Sequence, residues 1–345
     1  MSLTKKQHYV PKFYLSNFGN HESINVFDKK DSRRFGASVD DVAQERYFYA
    51  IPTEGLYTKE QLTAIEDYLA GIDGKSGSAI SSLLRNIEAS KIISVDGFPR
   101  YVLNEDEKVD LAIFMIFQEI RTREFREKLA QMDYQISRSV LDWVIEANGH
   151  TENVGKYDIE LTPEREAHNQ IEMLTNRDFL AKLLAHALDK HWMIGYSVGN
   201  RPLITSDHPI TMRGHNPHPL QKGIAAWGAP FTEITVPLSP KVALLLMCHS
   251  LFDSTPGGNA SKRWTQNQVI PLNDENIRYC NHLQVTRSNQ YLFSNTEDFH
   301  EVEDILRKDP EAGNPNRRRA EISGRTFSLP QHWANRPRKF VKERA

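Results

Sequence analysis

The sequence changes its hydrophobic period near His191. Before that point apolar residues recur at helical spacing; after it the runs are short, β-rich and separated by Gly, Pro and Asn. A helical pattern does not sit still as a strand, so the two stretches commit to different elements. They predict helices packed on a sheet, not a parallel sheet threaded by alternating helices. "KEQLTAIEDYLAGI" sets Leu62, Ile65 and Leu69 on one face, and "SGSAISSLLRNIEA" does so with Ile80, Leu83, Leu84 and Ile87; Gly71, Gly74 and Gly77 punctuate the two. In "LNEDEKVDLAIFMIFQEIRTREFREKL" Asn104 is a cap with acids in the first turn after it. No Gly or Pro follows until Gly149, so one or two long helices are expected. Thr162 as cap and Pro163 as first helical residue open another. "HWMIGYSVG", "RPLITSD", "TEITVPLSP" and "KVALLLMC" then read as strands, a helix resumes from Asn273, and "YLFSN" (Tyr291 to Asn295) is a last short strand. The expected class is α+β, with long helices from about Lys59 to Trp192 packed against a mostly antiparallel sheet built from about Trp192 to Cys248.

With 345 residues and 39 % hydrophobic content the chain can bury one large core. The expected organisation is a single domain over 1–310 and a basic tail over 311–345. The domain comprises an irregular N-terminal segment (1–55) with short strands, a helical part (56–191) and a sheet-rich part (192–300). Past Gly313 the composition turns to Asn, Pro and Arg, and a packed core is not expected there. The segment is expected as a basic tail for nucleic acid, or as a solvated tail or an arm wrapped over the protein's own surface or a neighbouring subunit, for which Phe327, Leu329, Trp333 and Phe340 are apolar enough to dock. Residues 316–345 carry nine Lys/Arg against Glu321 and Glu343, an excess of +7 in a chain whose net charge is −2. Two cysteines, Cys248 and Cys280, make no disulfide framework, and no N-terminal apolar run resembles a signal peptide, so a cytoplasmic setting is expected. "VALLLMC" falls far short of the ~20 residues of a spanning helix, so no membrane partner is expected.

Three polar stretches stand out: "QHYVPKFYLSNF" from Gln7, "FMIFQEIRT" from Phe114 and "LITSDHPI" from Leu203. Together with "VPLSP" they resemble the HYVP-motif proteins grouped as domain of unknown function 4238, over roughly 7–295. The resemblance implies a shared fold with no established reaction. It carries recurring polar positions onto Gln7, His8, Gln118, Arg121, Ser206 and Asp207. The family pattern often places a proline soon after the arginine; here Arg123 and Glu124 follow Thr122 instead.

Each stretch has a chemical reading and a plain structural one. Pro11 suits the first turn of a helix that sets Tyr14, Leu15 and Phe18 on one face. Gln7 and His8 then precede a helix N-terminus, which suits a phosphate or carboxylate, and the imidazole can act as general acid or base. Alternatively Tyr9, Phe13 and Tyr14 anchor the chain and His8 bonds a backbone carbonyl. Gln118 and Arg121 share a face of an almost wholly apolar helix, where a guanidinium must meet an anion, either a protein carboxylate or a ligand. In "TSDHP" Asp207 can orient His8, pair with Arg121 or close an Asx-type turn. His208, His215 and His218 with Asp207 lack the spacing of a helical zinc motif, and Cys248-His249 with Cys280 and His282 is equally weak, so no metal site is assigned. No Gly-rich phosphate loop, nucleophile elbow or dinucleotide fingerprint occurs, and no cofactor or oligomeric state is assigned.

Two functions of different class follow. One is a hydrolase acting on a phosphodiester or other anionic substrate, with His8, Gln7, Asp207 and Arg121 as catalytic residues and Gln118, Ser206 and Tyr9 binding substrate. The other is a non-catalytic module for nucleic acid or protein, with nucleic acid held by the basic tail. Convergence of His8, Arg121 and Asp207 on one concave pocket decides for the first; an Arg121–Asp207 contact is its simplest sign.

Overall fold

Residues 6–20, 22–46, 48–49, 58–89, 103–218, 221–253, 266–320 and 333 are described in a computed structural model. The opening motif forms a strand, β1 (Lys6–His8), paired antiparallel with β4 (Gln44–Arg46). Gln7 and His8 therefore belong to a strand. The helix they precede, α1 (Lys12–Leu15), is one turn long, has Pro11 as its N-cap and runs into a 3₁₀ turn at Ser16–Phe18. It stops at Gly19, where a Cβ would stand 2.5 Å from the Ser23 carbonyl oxygen. Its face is nonetheless buried: Tyr14, Leu15 and Phe18 have no exposed surface. The Tyr14 hydroxyl reaches Thr205 Oγ1 at 2.8 Å and donates to the Pro237 carbonyl at 2.5 Å, so the anchor ties the N-terminus to the sheets.

The helical stretch contains α2 (Lys59–Ala89), α3 (Glu105–Ile120), α4 (Arg123–Ala147), α5 (Pro163–Thr175) and α6 (Arg177–Leu188). Asn104, Thr122, Thr162 and Asn176 each cap the helix that follows by accepting a backbone N–H. Gly71, Gly74 and Gly77 do not divide α2. The buried stripe of Ile65, Leu69, Ile80, Leu83 and Ile87 runs through them and outweighs a glycine penalty of ~1 kcal/mol each. At Gly77 a Cβ would lie 3.3 Å from the Phe13 ring, so the missing side chain admits that ring.

The strand-forming material is divided between sheets. A five-stranded sheet has the order β10–β5–β9–β8–β7, from β5 (His191–Ser197), β7 (Thr211–Gly214), β8 (Thr232–Ser239), β9 (Val242–Met247) and β10 (Gln268–Leu272). Its neighbours are antiparallel except β10, which runs parallel to β5. A four-stranded antiparallel sheet, β3–β2–β11–β6, combines N-terminal strands β2 (Ser23–Asp28) and β3 (Arg33–Ser38) with β6 (Thr205–Ser206) and β11 (Tyr291–Ser294). The class is α+β, as the change of period predicts. Pairing of the N-terminal strands with Tyr291–Ser294 is non-local, and nothing in local periodicity carries it. Among the described residues three further helices follow β9: α7 (Ser250–Asp253), α8 (Asp274–Arg287), capped by Asn273, and α9 (His300–Lys308). No helix among the described residues is long and apolar enough to cross a membrane.

Past Gly313, where composition predicts no packed core, the described residues 314–320 and Trp333 are docked, as in the alternative of an arm on the protein's own surface. Arg317 is 7 % exposed and Trp333 2 %, and the Trp333 ring packs edge-on against Tyr134 of α4 with centroids 5.6 Å apart. Residues 314–320 lie along α4 as a strap, held at polar positions that helical spacing puts on one side of it. Gln131 donates to the Arg317 carbonyl and accepts from Arg319 N–H, and Gln135 donates to the Ala320 carbonyl.

Candidate functional site

The residues singled out by sequence fall into two groups. In the first, Gln118 Nε2 donates to the Tyr9 carbonyl at 3.0 Å and its Oε1 accepts from Arg121 Nε at 2.7 Å. Arg121 is 1 % exposed, and its anion is Asp73 of α2, at 2.9 Å, not Asp207. The expected Arg121–Asp207 contact is thus replaced by a pair between two helices. It escaped notice because Asp73 sits among the glycines of a segment read as a break. Gln7 bonds Glu66 on the same helix and accepts from the Tyr49 N–H at 2.7 Å. His8 Nε2 meets the Asp40 carbonyl at 3.2 Å, the plain structural alternative, and burial lowers its pKa. Burial also raises the Asp73 carboxyl, opposed by the charge of Arg121 and, more weakly, of His8.

In the second group, Asp207 is buried and accepts the backbone N–H groups of Asn289, Gln290 and Tyr291 at 2.8, 2.7 and 2.9 Å. The turn it closes belongs to a distant segment, not to its own. Burial raises its carboxyl, and these N–H groups together with the charge of Lys29 oppose the rise. Ser206 donates to Gln284 of α8 at 2.7 Å, and the His208 N–H donates to Ser206 Oγ at 3.2 Å. Tyr9 stands between the groups: burial, then the Asp207 charge, drives its hydroxyl well above the usual range. Arg121 and Asp207 are held by separate partners, Asp73 and the backbone of residues 289–291. What Ser206 and Asp207 do together is fix the backbone that presents the next residue, His208.

His208 faces a cavity of about 490 Å³ whose cationic lining is Lys128, Lys222, Arg287, Arg317, Arg318 and Arg319. Two carboxylates share it, Glu119 and Glu124. Helices, a strand, a loop and the strap build the cavity. Phe125, Lys128 and Met132 come from one face of α4; Ile210 and Met212 come from the start of β7; Lys222 and Ile224 come from the loop after it; and Arg287 and the strap close the other side. Glu124 binds Arg317 Nη2 at 2.7 Å and Arg319 Nε at 2.9 Å. Burial pushes the Glu124 carboxyl up, but the two guanidiniums hold it below the usual carboxylate range. Glu119 is raised by burial, with the Trp227 indole N–H donating to it.

The imidazole itself is neutral: burial lowers the His208 pKa to about 4. The Thr122 hydroxyl donates to the Glu119 carbonyl at 2.9 Å, so the 2.8 Å contact between Thr122 Oγ1 and His208 has Nδ1–H as donor. That leaves Nε2 as the acceptor nitrogen of a side chain that lines the cavity. Behind the strap, Lys29 donates to the carbonyls of Val285, Ser288 and Ala312 at 2.8, 2.9 and 2.8 Å, and burial brings its ammonium down to about 7. This knot joins β2, the end of α8 and the turn that leads into the strap.

Sequence reasoning placed the arginines of the strap in a basic tail that either is solvated or wraps over the protein, and missed Lys128, Lys222, Arg287 and Glu124 as its neighbours. One signal was present: the family pattern is broken at Arg123-Glu124, and Glu124 is the anion the strap binds. Of the weak metal candidates, His215 pairs with Glu233 at 2.7 Å, while Asp207 is taken by backbone N–H groups.

Fold and cavity define an α+β protein with a basic pocket closed by its own C-terminal strap. The chain belongs to the family described as "Protein of unknown function (DUF4238)", whose model matches residues 6–298. The strap therefore lies outside the matched region. No curated protein and no solved structure matches the chain.

Proposed function

We propose that the protein binds a small anionic ligand in the cavity between α4, β7 and the strap. One observation carries the reading: among the described residues, the lining of this concavity holds six Lys/Arg side chains and two carboxylates, Glu119 and Glu124. Like charges are held close together only where something offsets their repulsion, and a bound anion does so. Gln7, Tyr9, Gln118, Arg121, Ser206 and Asp207 act in this reading as the frame, with His8 at its edge. Residues 314–320 belong functionally to the domain they dock on, although they lie past its expected boundary at 310, and the two free cysteines, Cys248 and Cys280, fit a cytoplasmic setting.

A second reading, a hydrolase of phosphoesters, is favoured by a neutral His208 whose Nε2 has no hydrogen-bond partner among the described residues, beside arginines suited to charge developing on a phosphoryl group. Nucleic-acid binding by the tail rests on Arg325, Arg336, Arg338, Lys339, Lys342 and Arg344, which lie outside the described residues, and not on the two strap arginines that Glu124 holds. Arg317 and Arg319 are turned inward onto Glu124, with side chains 8 % and 2 % exposed, out of reach of a duplex backbone.

Calorimetric titration of the full chain with inorganic phosphate tests the proposal. A single saturable site is expected, weakened about tenfold or more in Lys128→Ser/Arg318→Ser, since a hydrogen bond to a charged group contributes roughly 1.5–3 kcal/mol. Absence of saturable heat, or equal binding by the variant, rejects it.

A further inference from the structure

We propose that the ligand is an organic phosphate, a phosphoryl group carried on an apolar body, bound with the phosphoryl end on Arg317; this rests on the anion-binding reading above. Arg317 lines the cavity at 7 % exposure, and its two terminal nitrogens are treated differently. Nη2 donates to Glu124 and to the Ser288 carbonyl at 2.7 and 2.8 Å, whereas Nη1 is buried with no hydrogen-bond partner among the described residues. A buried guanidinium N–H without an acceptor is destabilising, so it marks the place where an acceptor from outside belongs. The neutral imidazole of His208 stands in the same wall, its Nε2 free to accept a ligand O–H or N–H.

The charge balance indicates the class of head group. With six cations against two carboxylates, a singly charged carboxylate leaves most of the excess in place. A phosphomonoester, with a second pKa of ≈ 6, is largely a dianion at neutral pH and carries three strong acceptor oxygens. The rest of the lining has no use for an inorganic ion. Phe125, Met132, Ile210, Met212 and Ile224 give the cavity an apolar side. Ile224 is 53 % exposed, a large aliphatic side chain left open at the rim until something apolar covers it. A volume of about 490 Å³ also exceeds what a bare phosphate fills and lies in the ~300–1,000 Å³ range of organic-ligand sites.

The experiment compares three probes on the full chain by calorimetry: inorganic phosphate, methylumbelliferyl phosphate and the uncharged parent phenol. The ester is expected to bind at least about tenfold more tightly than inorganic phosphate, because its ring buries apolar surface, and the phenol not measurably. Ile224→Gln, at an exposed position that folding does not depend on, should bring the ester-to-phosphate affinity ratio toward one. Arg317→Lys keeps a cation for Glu124 but removes the second terminal nitrogen, and should weaken the ester about tenfold with the far-ultraviolet circular dichroism unchanged. Equal affinity for ester and phosphate, or a ratio indifferent to Ile224→Gln, overturns this inference and leaves anion binding intact. Failure of every anion to bind overturns both.

Discussion

At the scale of single residues, His208 makes the clearest statement because its neutrality is linked to stability. Burial holds its folded pKa near 4, against about 6.5 in the unfolded chain. Between these values the unfolded state binds the proton more readily, so the contribution is complete above pH 6.5 and is lost as pH falls toward 4. The full shift corresponds to roughly 3 kcal/mol. His208→Asn, which keeps a donor for Thr122, should remove this component. Urea midpoints of wild type and variant, compared across that pH window, should therefore converge as pH falls; parallel curves would contradict the assignment. Arg121 supplies a second test at this scale. Its partner is Asp73, so Asp73→Ala strands a guanidinium that is 1 % exposed, and unfolding free energy should drop by about 3 kcal/mol. Asp207→Asn should leave the Arg121 side chain where it is. That Arg121 needed an anion was legible from its apolar helix; which anion was not, because Asp73 and Asp207 look equally available in a linear sequence.

At the scale of elements, the sequence allowed an arm on the protein's own surface but did not show that α4 is where it docks. The buried side of α4 is polar, with Glu124, Gln131, Gln135, Arg138 and Asp142, while Ile136, Val140 and Trp143 are exposed. Periodicity locates a helix by its apolar stripe, so it found α4 and could not tell that a polar seam faces inward. The strap meets that seam. Glu124→Ala leaves Arg317 and Arg319 in place without their carboxylate, and should cost about 3–5 kcal/mol. Limited trypsin digestion gives a local readout: cleavage at Arg317–Arg319 should be fast in the variant and slow in wild type. Equal protection would mean that backbone bonds from Gln131 and Gln135 suffice to hold the strap. The caps, by contrast, were legible to the residue, since Asn104, Thr162 with Pro163, and Asn273 act within one helical turn of themselves.

For the whole molecule, local rules recovered the class and most elements, and failed where segments far apart in sequence meet. Strands at either end of the matched region share one sheet, β10 joins β5 in parallel, and the cavity draws on α4, β7, α8 and a strap beyond residue 313. The polar motifs near Gln7, Gln118 and Asp207 sit where these parts are tied together. That accounts for their distinctness without requiring each to touch a ligand. The central claim is that the basic cavity closed by the strap is where the protein meets its ligand. A crystal structure of the full chain grown with tungstate, a heavy phosphate analogue seen by its anomalous signal, tests it most directly. The account predicts a tungstate peak inside the cavity within hydrogen-bonding distance of Arg317 Nη1; a cavity without tungstate while the anion occupies another surface would contradict it.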